Sequence, residues 1–191
     1  MTDNGRSNAQ QFLSQIRDHY TQQLIVFVAE QRRNSIRGEA EVKLELEPGS
    51  RVFRSLACAD FVRNDDEPEI IEFTPDRILG FDPITTTLGN ADLEIEQLRW
   101  DDVVIHHNGS FDAEQVLGGW FEKWFDPDDR RYRGGADLGN VIHSLVVEPG
   151  RLSIDFGSAA ADSFWELLDR LERSEATVLR IRSSKAEAET T

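Results

Sequence analysis

The stretch that decides the fold is Val103-Val104-Ile105-His106-His107-Asn108-Gly109-Ser110, a strand-like run that ends in a Gly-Ser step. Beyond it, apolar residues recur at the spacing i, i+3, i+4 and i+7, which places them on one face of a helix. These residues are Leu117, Trp120, Phe121 and Trp124. The stretch therefore predicts a strand, a sharp turn and an amphipathic helix over about 113–125 that packs on a sheet.

The same pattern occurs a second time closer to the C-terminus. A strand-like run, Leu152–Phe156, leads into Gly157-Ser158 and then into another helical stripe. The stripe consists of Phe164, Leu167, Leu168 and Leu171. A second helix is therefore predicted over about 159–173, and the repetition indicates a partial internal duplication.

Further strands are indicated by alternation of apolar and polar residues, as in Val42, Leu44 and Leu46. Pro-Gly steps at residues 48–49 and 149–150 suit tight turns, and the second predicts a hairpin. The polar, Thr-rich residues 83–90 are predicted to form a loop. Together these patterns predict an α+β protein with a mostly antiparallel sheet and two helices of the C-terminal half on one face.

The N-terminal region has helical periodicity over about residues 8–33. This long helix is predicted either to pack separately or to mediate dimerisation, which would make the protein a homo-oligomer. The predicted organisation is an N-terminal helical segment at 1–36, one α+β domain at 37–183 and a flexible tail at 184–191.

The chain is strongly acidic, with a formal net charge of −15 over 191 residues. The first 40 residues contain five arginines and four carboxylates, so the negative charge comes entirely from the remainder. Such a field repels nucleic-acid phosphates and attracts a basic protein. We therefore expect no nucleic-acid partner and consider a basic protein partner; acidity that serves only solubility is the alternative.

Composition also bears on the compartment. No apolar run approaches the ~20 residues of a membrane helix, the N-terminus has no secretory signal, and Cys58 is the single cysteine. A lone thiol fits a reducing environment. We expect a cytoplasmic protein with no membrane partner.

The candidate ligand-binding residues combine aromatic rings with nearby cations and histidines. They are Trp120, Trp124, Arg131, Tyr132, Arg133, His106 and His107. Guanidinium groups beside aromatic rings could bind a carboxylate or phosphate in a pocket between the sheet and the helix. The alternative is that the arginines balance Asp126, Asp128 and Asp129 locally.

Sequence motifs point to no catalytic residue, cofactor or metal. GxSxG, GxGxxG and the P-loop pattern do not occur, and Cys58 lies in an apolar run typical of an inert thiol. Adjacent residues of a strand point to opposite faces, so His106 and His107 do not share one ion. The calcium-loop pattern fails because its sixth position, counted from Asp126, is Arg131 rather than the required glycine.

Three segments together resemble small acidic bacterial immunity proteins. They are Trp120–Phe125, the hairpin region 141–156 with its Pro149-Gly150 turn, and Phe164–Leu171. The resemblance covers the C-terminal third of the chain and leaves the N-terminal helix without a counterpart. It implies a protein that neutralises a toxin by binding it, without catalytic residues.

Three hypotheses of function follow. The first is a non-catalytic acidic cytosolic protein that binds a basic protein partner. The second is a small-ligand-binding protein or enzyme with a pocket between the sheet and the Trp120–Trp124 helix. The third is a homo-oligomeric structural protein assembled through residues 8–33.

Overall fold

The computed structural model describes residues 3–65, 67–131 and 136–184. Within these ranges the chain forms three α-helices, nine strands and one short 3-10 helix. The helices are α1 (Asp3–Arg33), α2 (Ala113–Phe125) and α3 (Ala161–Arg173), and the 3-10 helix is Phe53–Ser55. The strands are β1 (Gly38–Glu45), β2 (Leu56–Arg63), β3 (Glu69–Ile71), β4 (Ile84–Leu88), β5 (Ala91–Ile95), β6 (Val103–His107), β7 (Ser144–Glu148), β8 (Arg151–Asp155) and β9 (Val178–Arg182).

The larger of two sheets has the strand order β4-β5-β9-β6-β8-β7. Its neighbouring strands are antiparallel except for β5 and β9, which are parallel. The predicted hairpin is present as β7 and β8, which are joined at Pro149-Gly150 with Glu148 opposite Arg151. Gly150 has a φ of 72°, a conformation that favours glycine at this turn position.

The C-terminal half consists of two interleaved β-α-β units. The first is β6-α2-β7 and the second is β8-α3-β9, and their strands lie in the order β9-β6-β8-β7. This is the ferredoxin-like βαββαβ arrangement. The repeated sequence pattern thus corresponds to a repeated structural unit, and α2 and α3 pack against each other on one face of the sheet.

Each of these helices begins after its Gly-Ser step, but the two starts differ. Asp112 caps α2, because its carboxylate accepts a hydrogen bond from the Gln115 amide at 2.9 Å. Ala160 precedes α3 and gives no side-chain cap. Ser158 instead accepts a hydrogen bond from the Val141 amide at 3.1 Å, so it connects the start of this helix region to the segment before β7.

The prediction of a loop at 83–90 was wrong. Residues Ile84–Leu88 form β4, the outermost strand of the large sheet beyond β5. The polar composition suggests a loop, but Thr85, Thr86 and Thr87 are β-branched. Threonine therefore suits a strand that has one solvent-exposed face.

A smaller sheet of three strands has the order β1-β2-β3, with antiparallel pairing. It meets the large sheet at a corner: the Cys58 amide donates to the His143 carbonyl at 2.8 Å, and Val52 forms an isolated bridge with Val146. The small sheet is therefore attached beside β7 rather than stacked face to face on the large sheet.

Helix α1 does not pack separately, because its apolar stripe is buried in the same core cluster as α2, α3 and the sheet. The buried residues are Ala9, Leu13, Ile16, Tyr20, Leu24 and Val28. Arg17 adds polar contacts, donating from Nη2 to the Ser158 carbonyl at 2.8 Å and from Nε to the Ala159 carbonyl at 3.2 Å. The predicted tail lies outside the described residues from residue 185 onward.

Candidate functional site

The two tryptophans of the predicted pocket are packing residues. Trp120 is fully buried, and its indole nitrogen donates to the Ser163 carbonyl at 2.9 Å. Trp124 is 6% exposed and donates to Glu166 Oε2 at 3.0 Å. Both rings fill the contact between α2 and α3, so they do not form the walls of an open pocket between the sheet and this helix.

The two neighbouring histidines are separated, as expected for successive strand residues. His107 is buried and stacked on Phe111, with ring centroids 5.0 Å apart, and its Nδ1 lies 3.1 Å from the Gly109 carbonyl oxygen. Burial lowers the pKa of His107. His106 is half-buried on the other face of β6. The structure does not bring either histidine together with Trp120 or Trp124.

Of the three predicted basic and aromatic partners, the structure describes only Arg131. Its guanidinium lies 5.5 Å from the centroid of the Trp124 ring and donates to the Trp124 carbonyl at 3.2 Å. Its Nε lies 3.6 Å from Asp126 Oδ2. Arg131 is thus held against the end of α2 beside a carboxylate. Tyr132 and Arg133 lie outside the described residues.

The most unusual chemistry is a largely buried polar cluster that the sequence does not predict, which we call the His143 cluster: Glu41, Asp60, His143 and Asp155, of which the Asp155 side chain is 28% exposed. Glu41 on β1 and Asp60 on β2 stand between two paired positions of the ladder, Ala40–Phe61 and Val42–Ala59, where two like charges repel. The imidazole of His143 lies between them. Its Nε2 is 2.9 Å from Glu41 Oε1, and its Nδ1 is 3.0 Å from Asp60 Oδ1 and 3.9 Å from Asp155 Oδ2.

These contacts differ in quality. The bond to Glu41 is well directed, whereas the 3.0 Å approach of Nδ1 to Asp60 is too poorly aligned to make a regular hydrogen bond. The other oxygen of Asp60 accepts a hydrogen bond from the Phe73 amide at 2.7 Å, and Asp155 Oδ1 accepts one from the Gly157 amide at 2.8 Å. The cluster is therefore anchored to four separate parts of the chain.

Burial and mutual charge set the protonation of the His143 cluster. Burial opposes the charged imidazole of His143, but the carboxylates of Asp155, Asp60 and Glu41 outweigh this effect and raise its pKa well above the usual range. Burial raises the pKa of Asp155 to about 7, with a further contribution from Asp60. Burial also raises the pKa of Cys58 to about 12, so the thiol stays protonated near neutral pH.

The chemistry open to this cluster is limited. The side chains of His143 and Glu41 are 2% and 4% exposed, and both ring nitrogens of His143 face carboxylates. A protonated imidazole has no free lone pair with which to act as a base or to ligate a metal. Among the described residues, no group of three or more His, Cys, Asp or Glu side chains is arranged to hold a metal ion. The His143 cluster joins the two sheets and positions Glu41.

Glu41 connects this cluster to an open groove. Its second carboxylate oxygen accepts a hydrogen bond from the Gly139 amide, which joins β1 to the segment before β7. Between β1 and that segment lies a groove of about 540 Å³, which we call the β1 groove. One wall is residues 38–43 of β1, and the other includes residues 136–139 together with Asp126 and Asp129.

The β1 groove has an acidic rim. Five carboxylates line it against two cations, Arg32 and Lys43. Lys43 contacts the Asp126 carbonyl and the Asp129 carboxylate, and Arg32 lies 3.6 Å from Asp137 Oδ1. Carboxylates thus outnumber cations on the surface of the groove: Asp129 and Asp137 pair with Lys43 and Arg32, and the carboxylate of Glu39 is exposed as well.

The sequence contains weak signals for this site. Glu41 lies in a run of alternating apolar and polar residues, which predicts only that its side chain is on the solvent-facing side of a strand. Its partner His143 is 102 positions away in the chain. Gly157 is the clearest local sign: its φ is 47°, and a Cβ there would collide with the His143 ring. A glycine requirement of this kind indicates close packing but does not identify the side chain that packs.

The chain matches no protein-family model, no curated protein and no solved structure in the comparisons. At 31 residues α1 has the length of a membrane span, but no helix in the described ranges combines such length with sufficient apolar character. The geometry and charge of this molecule are therefore what indicate its function.

Proposed function

We propose that this protein is a non-catalytic, acidic binding protein that engages a basic protein partner. The observation that carries the proposal is the β1 groove, which is open and lined by five carboxylates and two already paired cations. A basic side chain entering it would meet the exposed carboxylate of Glu39 and would share Asp129 and Asp137 with Lys43 and Arg32.

The net charge of −15 supports the same proposal at longer range. A surface field of one sign speeds the encounter with an oppositely charged protein, and the effect falls with ionic strength. The rim carboxylates would then act at short range, where they select the partner's basic residues.

The state of the ionisable groups favours binding over catalysis. A catalytic acid or base must reach its substrate, whereas His143 is 2% exposed and faces a carboxylate at each ring nitrogen. Asp155 has a raised pKa of about 7, but its neighbours are the same buried groups. These residues support a structural role for the cluster beneath the groove.

The proposal includes a cytoplasmic location, supported by the single, buried Cys58. Its narrower form is an immunity-type protein that binds a basic toxin, which the resemblance of the Trp-rich segment and the following hairpin implies. The narrower form requires that the groove or the acidic surface around it covers a basic surface of that partner.

A peptide-display selection against the full chain, with sequenced binders, tests the proposal. We expect enriched sequences with net positive charge, and we expect their dissociation constants to rise as salt is raised from low to high concentration. A charge-inverted peptide of the same length is the matched control. Enrichment of neutral or acidic sequences, or binding that is indifferent to salt, would overturn the proposal.

A further inference from the structure

The outer edge of β1 is an unpaired strand edge inside the β1 groove. In the order β1-β2-β3, β1 pairs only with β2. Within the described ranges, no backbone hydrogen bond satisfies the other side of β1 between residues 38 and 43. An unpaired edge presents a row of amide and carbonyl groups that another extended chain can pair with.

The groove has the shape that such a chain needs. Six consecutive residues of β1 line one wall, a length of about 20 Å for an added strand, with the extended run interrupted at Glu41, whose φ is 52°. The opposite wall, residues 136–139, is held in place by the hydrogen bond from the Gly139 amide to Glu41. The His143 cluster fixes Glu41 in turn, so the groove is formed before a ligand arrives.

The charge of the rim selects the occupant. Glu39, Asp129 and Asp137 are exposed beside the edge, and an incoming chain with lysine or arginine at alternate positions would place its cations against them. A second copy of this protein would bring a like-charged rim to the same place, which repulsion disfavours. The outer edge of β3, by contrast, lies outside this groove.

We infer that the outer edge of β1 is a docking site for an extended, basic peptide segment of the partner, which adds to the small sheet as a strand. This inference rests on the proposed function, since it names the segment and the backbone contacts by which a basic partner binds. The main-chain pairing would supply affinity, and the rim would supply the preference for basic residues.

Three peptides of equal charge separate strand addition from simple charge attraction. The probe is an eight-residue peptide of alternating lysine and valine. In one derivative, N-methyl groups replace the amide hydrogens that point to one side of the extended peptide. In the other derivative, they replace the amide hydrogens that point to the opposite side. N-methylation removes backbone donors without changing charge. We expect one derivative to lose affinity for the full chain by about tenfold or more while the other binds like the parent peptide.

Two charge variants locate the contact. Glu39→Lys/Asp137→Lys should weaken binding of the parent peptide by about tenfold, because two attractive contacts become repulsive. Glu67→Lys, an exposed position near the opposite edge of the small sheet, is the control and should change affinity less than about twofold. Hydrogen exchange should show new protection at residues 38–43 and none at Glu69–Ile71.

The outcomes distinguish the two proposals. If all three peptides bind equally well and lose affinity in high salt, the proposed function stands and strand addition is overturned. If none of the peptides binds and the display selection also yields no basic sequences, both proposals are overturned. Protection of residues 38–43 without peptide, together with a dimeric mass in solution, would assign the edge to a second copy and overturn the inference.

Discussion

The two main packing regions of this molecule are built from opposite chemistry. Where α2 and α3 meet the large sheet, the interior is dry and aromatic: Phe156 packs against Trp100, Trp120 and Phe164, with ring centroids between 4.7 and 6.3 Å apart. Where the small sheet meets β7 and β8, the interior contains the His143 cluster. The dry region is stabilised mainly by the burial of apolar side chains, whereas the polar region depends on protonation.

This difference assigns distinct roles to the two regions. Apolar packing between α2, α3 and the large sheet makes a stable frame that does not respond to pH. The polar region connects that frame to β1, and through Glu41 it positions both walls of the β1 groove. Mutations can therefore test separately the residues that stabilise the frame and the residues that position the groove.

The largest expected effect belongs to the dry region. Phe156→Ala should lower the free energy of unfolding by about 3–5 kcal/mol, because it removes a fully buried ring and leaves a cavity among other rings. Urea unfolding at pH 5.5 and pH 8 should show the same loss at both values. Val26→Ala, at a 61% exposed position of α1, is the control and should change stability by less than about 0.5 kcal/mol.

His143→Gln should lower the free energy of unfolding by about 3 kcal/mol at pH 8, because it removes the cation between Glu41 and Asp60. The loss should be larger at pH 5.5 than at pH 8, because the stabilisation that comes from the raised pKa of His143 is complete below 6.5 and falls as the pH rises above that value. Adding Glu41→Gln should recover part of the stability at pH 8, since the remaining like-charge repulsion falls. A loss that is equal at both pH values would contradict the proposed electrostatic role.

Asp155→Asn should raise the free energy of unfolding at pH 8 by an amount on the order of 1 kcal/mol. Burial raises the pKa of Asp155 from its ordinary value of 3.8 to about 7. Between these values the folded state holds a proton that the unfolded state has released, so stability falls as pH rises through this window. The raised pKa of His143 acts in the same direction above 6.5.

The measurement for Asp155→Asn is the difference in unfolding free energy between variant and wild type from pH 4 to pH 8. Taking the difference removes the general effect of the acidic surface, which both proteins share. The hydrogen bond to the Gly157 amide is retained because asparagine still offers an oxygen. A difference that does not grow between pH 4 and pH 7 would show that Asp155 titrates normally.

The smallest effect is expected at the surface of the dry region. Lys123 Nζ lies 2.6 Å from Glu166 Oε2, but the two side chains are 53% and 27% exposed. Lys123→Ala should therefore lower the free energy of unfolding by no more than about 0.5 kcal/mol. In the variant, Glu166 keeps its hydrogen bonds from Trp124 and Arg170. Raising the salt concentration should abolish most of the small difference in unfolding free energy between variant and wild type, because salt screens an exposed ion pair.

The dry region was predictable from the chain because its signals are local. The stripes in α2 and α3 recur at helical spacing, and both stripes are buried where the period placed them. The hairpin at Pro149-Gly150 follows from turn chemistry. The prediction of a loop at 83–90 was wrong because the three threonines are polar, as loop residues commonly are. They are also β-branched, which favours a strand.

The candidate site was not predictable to the same degree. The sequence analysis predicts Trp120 and Trp124 as aromatic walls of a pocket, but the period that defines their helix also makes them core residues. The groove is formed by β1, Asp126, Asp129 and residues 136–139, which no local pattern connects. The groove contains Glu39, Glu41 and Asp137. These are three of the 36 carboxylates of the chain, and no sequence pattern distinguishes them from the others.

The amino-acid order alone determined the helices, most of the strands, the Pro-Gly turns and the acidic charge, since each depends on neighbouring residues or on composition. Only the tertiary structure decided that α1 joins the common core, that His143 lies between Glu41 and Asp60, and that the edge of β1 faces an acidic groove. These features depend on how two sheets meet, and contacts between residues 100 positions apart leave no periodic trace along the chain.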